Sequence, residues 1–259
     1  MRFLYVGDVV GKPGRAAVFG LVPGLRRERN LDAVVVNCEN AAGGKGITPE
    51  LADELLTNVA DVLTSGNHVW HYREIKSYLE REPRLIRPAN YPRAPGKGSY
   101  VLTLKDGLRL GVLQVEGRVF MRNLDCPFLT LDKERQHLGK VEATLVDVHA
   151  EATSEKQALG WHFAGQFSAI IGSHTHVQTA DERILPGGTA FLTDVGMTGP
   201  HESVIGMQKE AAIDRFLTQR AQGHDVATGD VWLSGVIIDT DDATGKAKSI
   251  ERLHLPWPG

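Results

Sequence analysis

The sequence predicts an α/β fold organised around a parallel sheet. Three observations point there: strand, loop and helix follow one another three times by residue 81, the same rhythm returns between residues 143 and 171, and the apolar runs end in short polar clusters. Phe3 to Val6 is a β-rich run stopped by Gly7-Asp8, and Ala16 to Arg29 then carries Val18, Leu21, Val22 and Leu25 at helical spacing. Ala33 to Cys38 is a second apolar run. It leads through Ala41-Ala42-Gly43-Gly44-Lys45-Gly46 to Thr48-Pro49-Glu50, where Thr fits a helix N-cap and Pro the first helical position, so a helix should run to about Val59. Asp61 to Thr64 is a third short strand closed by Ser65-Gly66-Asn67-His68, and His71 to Arg81 has helical character that Pro83 ends.

The middle of the chain changes character. Ser99 to Leu104 and Arg109 to Val115 are β-rich runs joined by Lys105-Asp106-Gly107-Leu108, whose Asp-Gly is a hairpin signal. Ala143 to Val148 and Ser168 to Ile171 bracket a helical stretch from Glu151 to Ala164, with Ser154 near its start. Thr189 to Val195, Val231 to Asp239 and Ser249 to Leu255 complete the strands, with a helix over Gln208 to Arg220 among them. No internal repeat, low-complexity tract or long linker interrupts the pattern, so one domain over residues 1–259 is expected.

Composition narrows the function. With 42% hydrophobic and 24% charged residues in 259, and 28 Gly against 12 Pro, the chain is an ordinary folded protein, neither disordered nor collagen-like. Lys plus Arg is 29 and Asp plus Glu 32, so a basic nucleic-acid groove is not expected. Cys38 and Cys126 are too few for a secreted disulfide framework, which points to a reducing cytoplasm. Gly7 and Asp8 interrupt the N-terminal apolar stretch before a signal sequence could form, and apolar runs such as Ala33 to Val36 fall far short of the ~20 residues that span a bilayer. Nothing here excludes a homo-oligomer.

The polar strand ends carry the functional argument. Asp8 follows one strand, Glu39-Asn40 the next, Asn67-His68 the third, His149 a fourth and His174-Thr175-His176 a fifth. Carboxyl ends of parallel strands share one edge, where ligands bind in open α/β sheets, so the five segments can converge. Taken singly they have plainer readings: Asp8 as a turn residue or cap, His149 as a satisfied strand-end histidine, Asn67 in a left-handed turn. His174 and His176 are a stronger pair, since alternate residues of an extended segment point the same way. Carboxylate, amide oxygen and imidazole suit Mn, Fe or Zn and leave room for water and substrate. Asp8, Glu39, Asn40, Asn67, His149, His174 and His176 are too many for one catalytic ion, whereas two ions bridged by a carboxylate, with Glu39 the candidate, would use them all. Gly7 to Lys12 is not a phosphate loop, because Pro13 follows the Lys, and the glycines at 43, 44 and 46 do not match a dinucleotide fingerprint. That second loop reads as a mobile segment beside Glu39-Asn40, with Lys45 either solvated or touching a substrate phosphate.

GDVVGKPGR, NCENAAGGKGIT, LTSGNHVW, VDVHAEATSEK and GSHTHVQTAD together resemble the calcineurin-like metallophosphoesterases, and more narrowly their YmdB-type bacterial branch, over nearly the whole chain. The resemblance implies a four-layered α/β/β/α sandwich and two metal ions. One would be held by Asp8, Glu39, Asn40 and His176, the other by Glu39, Asn67, His149 and His174. Two departures from the broad family pattern compensate each other: Val10 stands where a histidine is usual, and Glu39-Asn40 where an aspartate is. Trading imidazole for amide oxygen makes the first site harder and favours Fe or Mn over Zn. The resemblance further implies phosphoester hydrolysis by a metal-bridging hydroxide, with 2′,3′-cyclic nucleotides the favoured substrate class. His68, next to Asn67, is placed to protonate the leaving group as general acid. A phosphatase acting on other phosphoesters, and a metal-containing regulator that only binds a nucleotide, are the alternatives.

Overall fold

The computed structural model describes residues 1–220, 223 and 225–259. The first half runs β1 (Arg2–Val6), β2 (Asp8–Val9), α1 (Gly11–Glu28), β3 (Ala33–Asn37), α2 (Pro49–Asn58), β4 (Val62–Thr64), α3 (Ile75–Arg81), β5 (Ser99–Thr103), β6 (Arg109–Glu116) and α4 (Pro127–His137). The second half runs β7 (Ala143–His149), α5 (Thr153–His162), β8 (Ala169–Ser173), β9 (Arg183–Leu185), β10 (Thr189–Leu192), β11 (Met197–Pro200), α6 (Lys209–Thr218), β12 (Val231–Thr240) and β13 (Ala247–Pro256).

Two sheets result. The first has seven strands in the order β2-β11-β12-β1-β3-β4, with β13 also on β12; the second has six, β5-β6-β7-β8-β10-β9. β1, β3 and β4 are parallel neighbours, as are β6, β7, β8 and β10, while the hairpin expected around Gly107 pairs β5 with β6 in antiparallel register. Alternation along each strand builds the layers. Leu4, Val34, Val36 and Leu63 face Val18 and Val22 of α1, Leu55 of α2 and Leu79 of α3. Phe3, Tyr5, Val35 and Ile238 face Val112, Leu145, Ile171 and Leu192 of the opposing sheet. On the far side Val146, Ile170 and Phe191 pack against Leu131 of α4, Leu159 of α5 and Phe163, which caps the C-terminus of α5. The expected four-layered α/β/β/α sandwich is the architecture found.

Several boundaries move. α1 starts at Gly11, earlier than the apolar periodicity, because Pro13 is tolerated in a first helical turn. α3 starts at Ile75 instead of His71, and α5 is entered at Thr153 from Ala152 with no side-chain cap. The Thr48 cap with Pro49 is as expected, its hydroxyl accepting from the Leu51 N–H. Among the described residues no helix is long and apolar enough to cross a membrane.

Candidate active site

Each candidate residue is placed by the turn that ends its strand. Gly7 lets β1 pass against residue 196, since a Cβ there would lie 2.0 Å from the Gly196 carbonyl oxygen. Asp8 follows, fully buried, and its Oδ2 accepts the His174 N–H at 3.1 Å. After β3, Asn37 folds back to accept the Glu39 N–H at 2.9 Å. Glu39 Oε1 then accepts the His68 N–H at 2.8 Å and lies 2.8 Å from His68 Nδ1 and 3.6 Å from His149 Nε2. Asn40 stands between two imidazoles, Oδ1 at 2.9 Å from His68 Nδ1 and Nδ2 at 2.9 Å from His176 Nε2. Asn67 Oδ1 and His174 Nδ1 approach His149 Nε2 to 2.9 and 3.1 Å, and His149 Nδ1 is 3.9 Å from Asp8 Oδ1. All eight candidate residues therefore meet at one rim, drawn from both sheets. Val10 is buried beside them, bridged to Asn40 through the backbone.

The two histidines after β8 converge for a reason other than the one expected. They are not on an extended segment: β8 ends at Ser173, and His174 and His176 both have positive φ, 99° and 67°. Non-glycine residues adopt such angles only when their surroundings over-determine them. Here Asp194 does so. Its Oδ2 accepts the Thr175 N–H at 3.1 Å, the Thr175 hydroxyl at 2.8 Å and Lys156 Nζ at 2.6 Å, and its Oδ1 accepts the Gly196 N–H at 2.8 Å. Lys156 Nζ also donates to the Ser173 carbonyl at 3.1 Å, and this ion pair is 1% exposed on both sides.

A second buried network stands behind His149. Ser173 Oγ donates to Asp147 Oδ1 at 2.7 Å, so it accepts from His149 Nδ1 at 2.9 Å. Asn37 and Gln114 amides hold the other Asp147 oxygen at 3.1 and 2.8 Å. With Nδ1 bonded outward to Ser173, Nε2 is the nitrogen directed at the site. On the other side Ile205 O accepts from His176 Nδ1 at 2.8 Å and fixes that ring in the same sense, while Glu151 Oε2 lies 3.1 Å from His174 Nε2. Sequence reasoning passed over Asp147, Glu151, Lys156, Ser173 and Asp194. Asp147 was readable, as a carboxylate inside an otherwise apolar strand; Asp194 follows a strand in the way the chosen residues do.

The charges at the rim are strongly perturbed. Burial pushes the Asp8 carboxyl up to about 6, against the pull of His176 and His149. Burial works against Glu39 too, but the His149 and His68 imidazoles outweigh it and hold Glu39 down to about 2. Burial likewise disfavours the His149 cation, yet Glu39 and Asp8 raise it to about 9, whereas His174, buried and beside His149, is lowered to about 3. Asp8 Oδ1 and Glu39 Oε2 are buried without hydrogen-bond partners. Among the described residues no three His, Cys, Asp or Glu side chains stand ready-made around a common point, the amides of Asn40 and Asn67 being interleaved with them. Two orphaned carboxylate oxygens, two amide oxygens and imidazole nitrogens turned inward by their outer partners form a donor set that fits hard or borderline cations.

A cavity of about 480 Å³ opens over this cluster, with His68, His174, His176, Glu151 and Lys45 on its wall. The loop of Lys45 is not the mobile segment expected. Gly44 N–H donates to Asn40 O at 3.1 Å, Gly46 N–H to Glu39 O at 2.6 Å and Ala42 N–H to Gly46 O at 2.9 Å. Its three glycines all take positive φ, so the glycine content serves a closed, hydrogen-bonded turn.

Known proteins share the sequence and the fold. Over 258 residues, 98% of this chain and 97% of the other, the sequence is 48% identical to the 2′,3′-cyclic-nucleotide 2′-phosphodiesterase of Bacillus subtilis (strain 168). A crystal structure of a novel phosphatase from Mycoplasma pneumoniae superposes with a TM-score of 0.93 at 31% identity, covering 99% of this chain and 93% of that one. One of a hypothetical protein from Thermus thermophilus does so with 0.94 at 41% identity, covering 100% of both. The family model for YmdB-like proteins matches residues 4–253, and the chain belongs to the YmdB-like family.

Proposed function

We propose that the protein is a phosphodiesterase hydrolysing 2′,3′-cyclic nucleotides, working in the cytoplasm with two metal ions, Fe or Mn rather than Zn. The observation that carries this is the single rim at which Asp8, Glu39, Asn40, Asn67, His149, His174 and His176 meet, with the Asp8 Oδ1 and Glu39 Oε2 atoms left unpartnered. Asp8, Glu39, Asn40 and His176 would hold one ion, and Glu39, Asn67, His149 and His174 the other. Bound there, two cations would acidify a water and neutralise charge on the phosphoryl oxygens.

The chain's own residues supply the rest. Ser173 Oγ and Ile205 O each accept a hydrogen bond from an Nδ1–H and keep His149 Nε2 and His176 Nε2 facing inward. Water adds to phosphorus, the bond to one ribose oxygen breaks, and a proton must reach that oxygen; the product is a nucleoside monophosphate. His68 serves as the donor. Its Nδ1 rests on Glu39 and Asn40, leaving Nε2 as the nitrogen to face the leaving oxygen, and its side chain is 34% exposed on the cavity wall.

The test pairs a substrate panel with His68→Ala. Manganese-loaded protein should hydrolyse 2′,3′-cAMP faster than 3′,5′-cAMP, a bis-aryl phosphate or a phosphopeptide. His68→Ala should retain its metal yet lose ~10² to 10⁴-fold in turnover on 2′,3′-cAMP and much less on a p-nitrophenyl ester, whose leaving group needs little protonation. Equal losses on both would remove His68 from the acid role, and preference for the phosphopeptide would make the protein a phosphatase.

A further inference from the structure

Val204 and Met207 exchange backbone hydrogen bonds, Val204 N–H to Met207 O at 2.9 Å and Met207 N–H to Val204 O at 3.0 Å, so Ile205 and Gly206 are the two central residues of a tight hairpin turn. Both have positive φ, 48° and 97°. A turn with two left-handed central residues selects Asn, Asp or Gly at the first of them, and a β-branched residue there is an outlier. Asparagine would relieve that strain and still present the same carbonyl to His176. The isoleucine side chain, 53% exposed, is therefore kept at a conformational cost for what it lines.

It lines two spaces at once. Ile205, Met207 and Arg215 border the catalytic cavity and also a neighbouring recess of about 390 Å³ whose other walls include Val204, Phe216 and Gln208. Met207 is held at the neck by the glycine turn beside Asn40, since a Cβ on Gly44 would meet its Cε at 2.8 Å. The recess is thus an apolar continuation of the cavity that holds the imidazoles and Lys45, with a side-chain amide on its wall. We propose that it is the nucleobase subsite of this enzyme. The phosphate and ribose of a nucleotide match the imidazoles, Asn40 and Lys45 of that cavity; what remains is a flat heterocycle with apolar faces and polar edges, which is the chemistry this recess accepts. The inference rests on the phosphodiesterase reading of the rim and adds to it the part of the substrate that is recognised.

The experiment compares kcat/KM of the metal-loaded protein for 2′,3′-cAMP and for glycerol 1,2-cyclic phosphate, which keeps the five-membered phosphate ring and lacks the base. Binding of adenosine, which carries no phosphate, is followed in parallel by saturation-transfer NMR. The wild type should prefer the nucleotide. Ile205→Asn and Phe216→Ser should each reduce that preference about 10-fold through KM and weaken the adenosine signal, a loss in scale with one apolar side chain withdrawn from a ligand. Phe216 is 74% exposed and Ile205→Asn eases the turn, so neither should lower Tm. A wild type that hydrolyses both compounds equally, or variants that keep the full preference, would overturn the subsite while leaving the phosphodiesterase standing. A wild type that hydrolyses neither would overturn the phosphodiesterase, and the adenosine signal would then judge the recess alone. If Phe216→Ser only shifts sedimentation towards a smaller species, the recess belongs to a contact between copies and the inference fails.

Discussion

Removing Asp194 isolates the device that holds the strained histidine turn. In Asp194→Ala the Lys156 ammonium stays buried with only the Ser173 carbonyl beside it, and Thr175 loses the acceptor for both its N–H and its hydroxyl. Breaking one side of a buried ion pair costs about 3–5 kcal/mol. At ~2 °C per kcal/mol for a chain of this size, thermal unfolding should fall by ~6–10 °C. Loss of activity alone would not separate a positioning role from general damage, so the informative variant is the double substitution Lys156→Met with Asp194→Leu. An apolar pair of similar volume removes the uncompensated charge and should recover most of the Tm. It returns no acceptor to Thr175, so turnover of 2′,3′-cAMP should remain about 10- to 100-fold down, in the range for outer partners of a metal site. Calorimetry and steady-state kinetics on both variants provide the readout. A double variant with restored Tm and wild-type turnover would show that Asp194 serves stability only and that the geometry of His174 and His176 has another origin.

Other outcomes follow from the same rim. Glu39→Ala should abolish hydrolysis and leave fewer than two metals per chain by elemental analysis, whereas Asn40→Ala, which removes one neutral oxygen, should be milder; two metals retained in Glu39→Ala would refute the bridging assignment. Ser173→Ala deprives His149 Nδ1 of its acceptor and Asp147 of a donor, so metal affinity measured by competition with a chelator should weaken about 10- to 100-fold. Gly66→Ala would put a Cβ 2.4 Å from His149 Nε2, and it should eliminate activity while far-UV circular dichroism stays unchanged; an active variant would mean the ring can yield.

What was legible in the sequence follows from periodicity and punctuation. β1, β3 and β4 are short runs cut by turn residues, and their register-linked ends were enough to bring Asp8, Glu39, Asn40 and Asn67 to one edge. α4 escaped because only Pro127 and Leu131 of its residues are buried, which leaves almost no apolar stripe to detect. β2, β9 and β11 have two to four residues each, and β2 and β11 exist only through partners distant in sequence. At the site, residue type marked the groups facing the rim but not those behind it. Asp147, Ser173, Lys156 and Asp194 act through burial, and burial of a polar residue is a tertiary fact. The positive φ of His174, His176 and Ile205 was equally invisible, since nothing in those residue types announces a left-handed backbone.

The chain's route between the sheets bears on its synthesis. It lays down part of the first sheet, crosses to build the second, and returns to finish the first with β11, β12 and β13. All eight candidate residues have been translated by residue 176, but the segment of the earliest is flanked on one side by β3 and on the other by the latest strands: Asp8 pairs with Met197, Gly7 N–H donates to Ser234 O at 2.9 Å, and Arg2 lies opposite Asp239. A nascent chain arrested near residue 180 holds every group of the rim but lacks the strands that close one flank of β1 and of Asp8. Contacts of such long range form slowly and late. Catalytic competence should thus appear as a single late event in the life of each polypeptide, with arrested fragments on ribosomes silent until the final strands emerge.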